Sequence, residues 1–356
     1  MPMNDAALSL LKNLLATPTP SGWEYDGLKL LAEHLAPAAA NVGFDTHDNL
    51  RAVMNPGAPL RVMVEGHCDE IGFMVQHVDD KGFLTMCAVG GVTAQLLAGE
   101  RIVIQGRKGP VNGVFGAKPP HLMKPDDRNK IAPQALEDAA VDIGAASKTE
   151  ALELVELGAP AVVDSGWRPL AGDRVACRGF DNRIGAFVAA EAFRRLAGEK
   201  LNVELHCVAS VQEELGLIGA RTAAYDINPH AGICVDVGFA SDTPGNESKI
   251  VGDAKLGGGP LMVFGPTYNP ALRAHIERQA EDAKIPLQRQ VRARGDGTNA
   301  MAMRIARGGA AVALVSIPLR YMHSAVETLS LDDVEKTIEL LRLSLLNLPA
   351  DISFKR

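Results

Sequence analysis

Aromatic residues are scarce: 4% of the 356 positions are Phe, Trp or Tyr. Glycoside cleavage, which needs two carboxylates flanking a sugar and aromatic surfaces for the sugar to lie on, is therefore a poor fit. Positive charge is in deficit too. With 36 Lys and Arg against 43 Asp and Glu, the net charge is −7 and no basic stripe exists, which argues against nucleic acid as a partner. Cysteine is present but lacks pattern: Cys68, Cys87, Cys177, Cys207 and Cys234 are dispersed, without C-x-x-C spacing and mostly inside apolar runs. An odd, scattered set reads as buried free thiols in a reducing compartment, not as a disulfide framework. No apolar run is long enough to cross a bilayer, and no basic stretch followed by an apolar one opens the chain. A cytoplasmic protein with no membrane partner is expected.

What is there is an ordinary globular composition, 47% apolar and 22% charged. The length exceeds what one hydrophobic core usually organises, so two domains are expected. Leu8, Leu11, Leu14 and Leu15 at helical spacing, with Asn4 or Asp5 as cap, predict a helix over 3–16, and a second runs over 24–35. Strands follow at 42–44, 50–54 and 60–66, the last almost wholly apolar and so buried on both faces. From 72 the pattern changes to short β-like runs at 73–78, 83–89, 101–105 and 109–115, separated by Gly- and Asp-rich turns, as in a small barrel. The expected organisation is a discontinuous α/β domain over 1–71 and 165–356 with an inserted domain over 72–164. Within the insertion, the proline-flanked polar stretch 119–133 is expected to be an exposed, mobile loop. The chain closes with a helix over 331–348, which Ser330 and Asp333 start in the manner of a capping box.

Candidate functional residues stand at the ends of these elements. His67 and Asp69 leave the buried strand two residues apart and face the same way, which suits an imidazole whose second ring nitrogen is held by a carboxylate. Asp181 precedes a helix over 183–196, either as its N-cap or as a carboxylate shared between two cations. Glu213 and Glu214 sit side by side at the exit of an apolar strand, where an unpaired carboxylate is costly; they turn to solvent or meet metal. Asp236 interrupts the apolar run 231–238, and His323 follows the last strand, 310–318. Singly, each has an ordinary structural explanation. Together, His67, Asp181, Glu214, Asp236 and His323 make a donor set for two divalent ions, zinc first, with cobalt or manganese as alternatives. Glu213, left off the metal, would take the proton of an activated water and pass it to a leaving amine, a kit that hydrolyses an amide. The loop Arg294-Gly295-Asp296-Gly297-Thr298-Asn299 offers backbone amides to a ligand. Arg292, Arg294 and Arg320 are either ordinary charges or a means of accepting an acidic side chain.

The motifs Gly66-His67-Cys68-Asp69-Glu70-Ile71-Gly72, Gly179-Phe180-Asp181-Asn182-Arg183, Val211-Gln212-Glu213-Glu214-Leu215-Gly216, Asp236-Val237 with Thr243-Pro244-Gly245, and Ile317-Pro318-Leu319-Arg320-Tyr321-Met322-His323-Ser324 occur in this order. In them the chain resembles the M42 family of metallo-aminopeptidases, of glutamyl, leucyl and TET type. The resemblance implies a Zn-peptidase-like α/β/α sandwich with an inserted PA-like β-barrel that mediates dimerisation. It also implies short peptides as substrates and homo-oligomers from a dimer up to a TET-like dodecamer. One cation would fall to His67, Asp181 and Asp236, the other to Asp181, Glu214 and His323; Asp181 bridges them, Glu213 is the general base and Asp69 orients His67. The competing readings are an N-acyl amino acid deacylase or carboxypeptidase on a related dinuclear-zinc fold, and a non-catalytic, metal-stabilised peptide-binding protein. The spare acid Glu213 argues against the last. The chain departs from the family at Cys68, at Thr298-Asn299-Ala300, where Thr-Asp-Ala is usual, and over 265–270; the last two loops are expected to line the substrate pocket.

Overall fold

The computed structural model describes residues 3–123, 135–295 and 297–355. Of the stretch 119–133, residues 124–133 therefore lie outside the described residues. The chain opens with helices α1 (Asp5–Ala16) and α2 (Tyr25–Leu35) and strands β1 (Asn41–Phe44), β2 (Leu50–Met54) and β3 (Arg61–His67). Next come β4 (Gly72–Val78), β5 (Leu84–Val89), β6 (Arg101–Gly106), β7 (Gly109–Phe115), β8 (Ala140–Asp142), α3 (Lys148–Leu154) and β9 (Pro160–Val163). Then follow β10 (Arg168–Pro169), β11 (Arg174–Cys177), α4 (Phe180–Arg194), β12 (Glu204–Ser210), α5 (Ile218–Ile227), β13 (Ala231–Phe239), α6 (Ser248–Val251) and β14 (Leu261–Phe264). The remainder is α7 (Pro270–Asp282), β15 (Gln288–Val291), α8 (Asn299–Arg304), β16 (Ala311–Leu319), β17 (Glu327–Ser330) and α9 (Leu331–Leu346).

Local chemistry fixes the helix starts. Asn4 caps α1 through Oδ1, which accepts the Ala7 N–H at 2.8 Å; Ser330 caps α9 in the same way for Asp333. Along α9 the apolar residues Val334, Ile338, Leu341 and Leu345 recur at helical spacing and are fully buried. Each contributes about 1.5–3 kcal/mol of transfer free energy.

The main sheet has eight strands in the order β1-β2-β12-β3-β13-β16-β14-β15. Its centre, β12, β3, β13 and β16, is parallel, which is why these strands read as continuous apolar runs rather than as alternation. Helix α4, with 14 of its 15 residues buried, lies across one face together with α1, α2, α7 and α9. The small-residue helices α5 and α8 cover the other around Ala220, Ala224, Ala300 and Met303. Strands β4-β5-β8-β7-β6-β9 close into an antiparallel barrel around Phe73, Ile102, Ile104 and Phe115. The α/β sandwich with an inserted barrel is thus the observed architecture. A small sheet, β10-β11-β17, which the sequence pattern does not announce, joins the segment just after the insertion to the segment before α9.

Glu70 ties these parts together. Fully buried just past β3, its carboxylate accepts from Arg178, from Arg183 Nη2 at 2.9 Å and from the Thr19 N–H at 3.0 Å. Burial resists its ionisation, but Arg178 and Arg183 overcome that and hold its carboxyl below the ordinary range. Replacing Glu70 with Ala leaves two guanidinium groups facing one another in the interior. The expected loss of stability is about 3–5 kcal/mol, read from urea unfolding. Because the folded-state pKa is lowered, the wild-type contribution is complete above the unfolded value of about 4.3 and fades as pH falls below it. A wild-type–variant difference that does not shrink in acid speaks against this account.

Candidate metal centre

Five elements bring their ends to one place. His67 is the last residue of β3, and Ser210, its lateral neighbour, closes β12 just ahead of Glu213 and Glu214. Asp236 lies near the carboxyl end of β13, and His323 follows β16. This is the carboxyl edge of the parallel strands, where open α/β sheets bind ligands. Asp181 enters from the start of α4, and its expected role as N-cap is not observed. Its backbone is non-helical (ψ 109°), and the capping side chain is that of Asn182, whose Oδ1 accepts the Gly185 N–H at 3.0 Å. The Asp181 carboxylate is thereby free to face the two imidazoles.

The geometry is close. His67 Nε2 is 3.5 Å from Asp181 Oδ1, and His323 Nε2 is 3.3 Å from Asp181 Oδ2 and 3.4 Å from Glu214 Oε1. Donor atoms of His67, Asp181 and Asp236 all lie within 4.8 Å of one another, as do those of Asp181, Glu214 and His323. Asp181 belongs to both groups. Glu213 belongs to neither, although its Oε2 is 3.8 Å from His67 Nε2. These side chains line a cavity of about 220 Å³.

Asp69 does more than face His67. Its Oδ1 is 3.3 Å from His67 Nδ1, which also meets the Asp69 carbonyl at 3.1 Å. Its two carboxylate oxygens accept the N–H groups of Glu213 at 3.0 Å and Glu214 at 3.1 Å, and Oδ2 also accepts the Ser21 hydroxyl. One aspartate thus sets both an imidazole and the turn that carries the paired acids. That turn needs help: Gln212 holds φ +54°, a left-handed conformation costly to a residue with a side chain.

Two contributors were not picked out from the sequence. Glu327, 2% exposed, accepts the Asp181 N–H at 3.0 Å on one oxygen and the His323 N–H at 2.9 Å on the other, fixing the backbones beneath two of the converging side chains. His323 itself sits at φ +60°. Glu65, fully buried under His67, accepts from the Ser210 hydroxyl at 2.6 Å and from Asn299 Nδ2 at 2.7 Å. The signal that could have found both is a carboxylate inside a short strand of otherwise buried residues. The Asn299 contact also corrects an expectation: Thr298 and Gly297 line the cavity, while Asn299 points behind it and residues 265–270 do not border it.

Charge in the site is unbalanced. Burial, with Asp181 and Glu213 adding to it, pushes the Asp236 carboxyl well above the ordinary range. Burial likewise lifts Glu213 to about 8, with Glu214 and Asp181 contributing, and Glu327 to about 8. Hydrogen bonds to Asp181 and Glu214 raise His323 to about 11. No Lys or Arg among the described residues is ion-paired to Asp181, Glu213, Glu214, Asp236 or Glu327. A cluster with this excess of carboxylate and two imidazoles fits divalent cations by donor type.

Residues 49–340 match the profile of M42 glutamyl aminopeptidases. The chain belongs to the M42 peptidase family. Among M42 relatives, the lysyl aminopeptidase of Pyrococcus furiosus is 39% identical over 335 residues, covering 93% of this chain and 94% of that one. The TET aminopeptidase of a marine-sediment Thaumarchaeota archaeon superposes with a TM-score of 0.91 at 34% identity, over 97% of each chain. Pyrococcus horikoshii TET1 peptidase, described as assembling into a tetrahedron or a large octahedral shell, gives 0.86 at 32% identity over 96% of this chain and 100% of that one. Membership of this peptidase family, with relatives named as aminopeptidases, makes the chain an enzyme. Among the described residues no helix is long and apolar enough to cross a membrane.

If this M42 centre takes divalent ions, chelator-stripped protein titrated with zinc should gain thermal stability. A hundredfold excess over Kd corresponds to about 2.7 kcal/mol per site, visible by differential scanning fluorimetry. A melting temperature indifferent to zinc, cobalt and manganese alike counts against a cation site.

Proposed function

We propose that the chain is a dinuclear metal-dependent aminopeptidase that removes N-terminal residues from short peptides. The observation that carries this is the division of labour around Asp181: two three-residue donor groups share it, while Glu213 stands beside both and belongs to neither. His67, Asp181 and Asp236 would hold one cation, and Asp181, Glu214 and His323 the other. Two such ions, zinc first, supply Lewis acidity for a scissile carbonyl and acidify a water. The protein's own groups do the rest. Glu213, outside both donor groups and 3.8 Å from His67, takes the water proton and returns it to the departing amine. Asp69 keeps Glu213 on station through its backbone N–H and holds His67 by its far ring nitrogen. The two units are 1–71 with 165–356, carrying the site, and the inserted 72–164. The insertion exposes Phe83, Leu96, Val114, Leu122 and Leu157 and serves as the association surface of a homo-oligomer, from a dimer up to a TET-like shell.

Among the described residues, the cavity wall away from the proposed ligands and Glu213 carries one charged side chain, Arg292. Its guanidinium lies 5.8 Å from the Phe239 ring and is ion-paired to no carboxylate among the described residues. Arg320, by contrast, is committed to Asp242 at 2.6 Å. This wall suits an acidic N-terminal side chain.

The Glu213→Gln variant should bind the same metal complement as wild type and lose about 10²–10⁴ in kcat on aminoacyl-arylamides, with N-acetylated analogues inert to both proteins. Turnover retained in that variant removes Glu213 as the base. For selectivity, glutamyl-arylamide should exceed lysyl-arylamide in kcat/KM, and Arg292→Glu should invert the order. The loss on the acidic substrate should be about 10–100-fold, the worth of one charge-assisted contact. An unchanged ratio in Arg292→Glu assigns acid selection elsewhere.

A further inference from the structure

The inserted barrel touches the proposed metal ligands directly. After β5 the chain turns through Gly90, at φ +78°, and Gly91. The Gly91 carbonyl lies 3.1 Å from His323 Nδ1, while His323 Nε2 faces Asp181 and Glu214. A carbonyl oxygen only accepts, so this contact keeps a proton on Nδ1 and makes Nε2 the ring nitrogen that would offer its lone pair to a cation taking the place of its proton. His323 needs such a hold: its side chain is 35% exposed, and among the described residues no other group bonds Nδ1.

Space at the turn is as tight as its hydrogen bond. A β-carbon on Gly91 would come within 2.8 Å of His323 Nδ1 and 3.0 Å of His323 Cε1. One on Gly90 would come within 2.9 Å of Ile71 Cγ2, 3.1 Å of Glu214 Cβ and 3.3 Å of Glu214 Oε2. Both glycines therefore press on ligands of the same cation, the one assigned to Asp181, Glu214 and His323. Neither has a close approach to His67 or Asp236.

We propose that the Gly90–Gly91 turn is a positioning element of the metal centre. It sets the tautomer and tilt of His323 and the placement of Glu214, so that one of the two cation sites is shaped jointly by the main sheet and the insertion. The proposal rests on reading Asp181, Glu214 and His323 as ligands. It follows that displacing the barrel loosens one cation and leaves its neighbour held.

The test compares Gly91→Ala with Gly116→Ala, a substitution in the same barrel whose added methyl meets nothing closer than 3.7 Å. Zinc affinity is measured on stripped protein by competition with a chromophoric chelator, and folding by the melting temperature of the metal-free form. Gly91→Ala should weaken one of two zinc equivalents by about 10–100-fold, the usual effect of losing a partner behind a ligand. Gly116→Ala should bind as wild type does, and both metal-free variants should melt alike. A folded Gly91→Ala protein that binds two equivalents with wild-type affinity overturns the proposal. Failure of the wild type to bind zinc instead overturns the ligand assignment on which it rests. Nitrogen NMR of zinc-loaded, histidine-labelled wild type decides the matter without any variant: a proton on His323 Nδ1 supports the proposal, and one on Nε2 refutes it.

Discussion

Carboxylates crowd together at the carboxyl edge of the central sheet without enough positive charge to balance them. Asp181, Glu213, Asp236 and Glu327 are buried there and Glu214 nearly so, against two imidazoles. An interior that excludes water makes such an arrangement expensive unless the charge is cancelled. Burial and the neighbouring carboxylates therefore displace the pKa values of Glu213, Asp236, Glu327 and His323 upward, far from their ordinary ranges. The surrounding scaffold serves to hold those charges in place.

The holding is done by acids as much as by the core. Asp69 and Glu327 each spread two oxygens over backbone N–H groups next to the converging side chains, and Glu70 anchors Arg183, two residues after Asp181. These bonds stabilise left-handed backbone at Gln212 and His323, conformations that neither residue would adopt unaided. The proposed ligands thus stand on a rigid base. The inserted barrel closes the arrangement from above, and the relatives that superpose on this M42 chain over almost its full length share that two-part architecture.

Much of this was legible in the sequence because it is local. The apolar runs of β3, β12, β13 and β16 marked the buried parallel strands, and residues at their ends stood out as polar where burial was expected. The barrel was legible from alternation and turn chemistry. Less visible were elements too short to establish a period, such as β10 with two residues and β8 with three. Asp181 looked like a cap because a carboxylate before a helix usually is one; Asn182 takes that task one residue later. Glu327 carried a local sign, a carboxylate in a short buried strand, but its partners, the backbones of residues 181 and 323, become its neighbours only in the fold.

The sequence by itself determined the donor chemistry, the secondary-structure positions of those donors, and the family. These depend on residue type and on periods of two and 3.6, which neighbours along the chain fix. Tertiary structure decided which groups meet. The strand order β12-β3-β13-β16 is not the order of synthesis, and only that shuffle brings residues 67, 181, 214, 236 and 323 within reach of one another. It also decided that Glu213 is left outside both donor groups, that Arg292 and not Arg320 faces the cavity, and that a barrel glycine bears on His323, because each follows from packing between segments far apart in the chain.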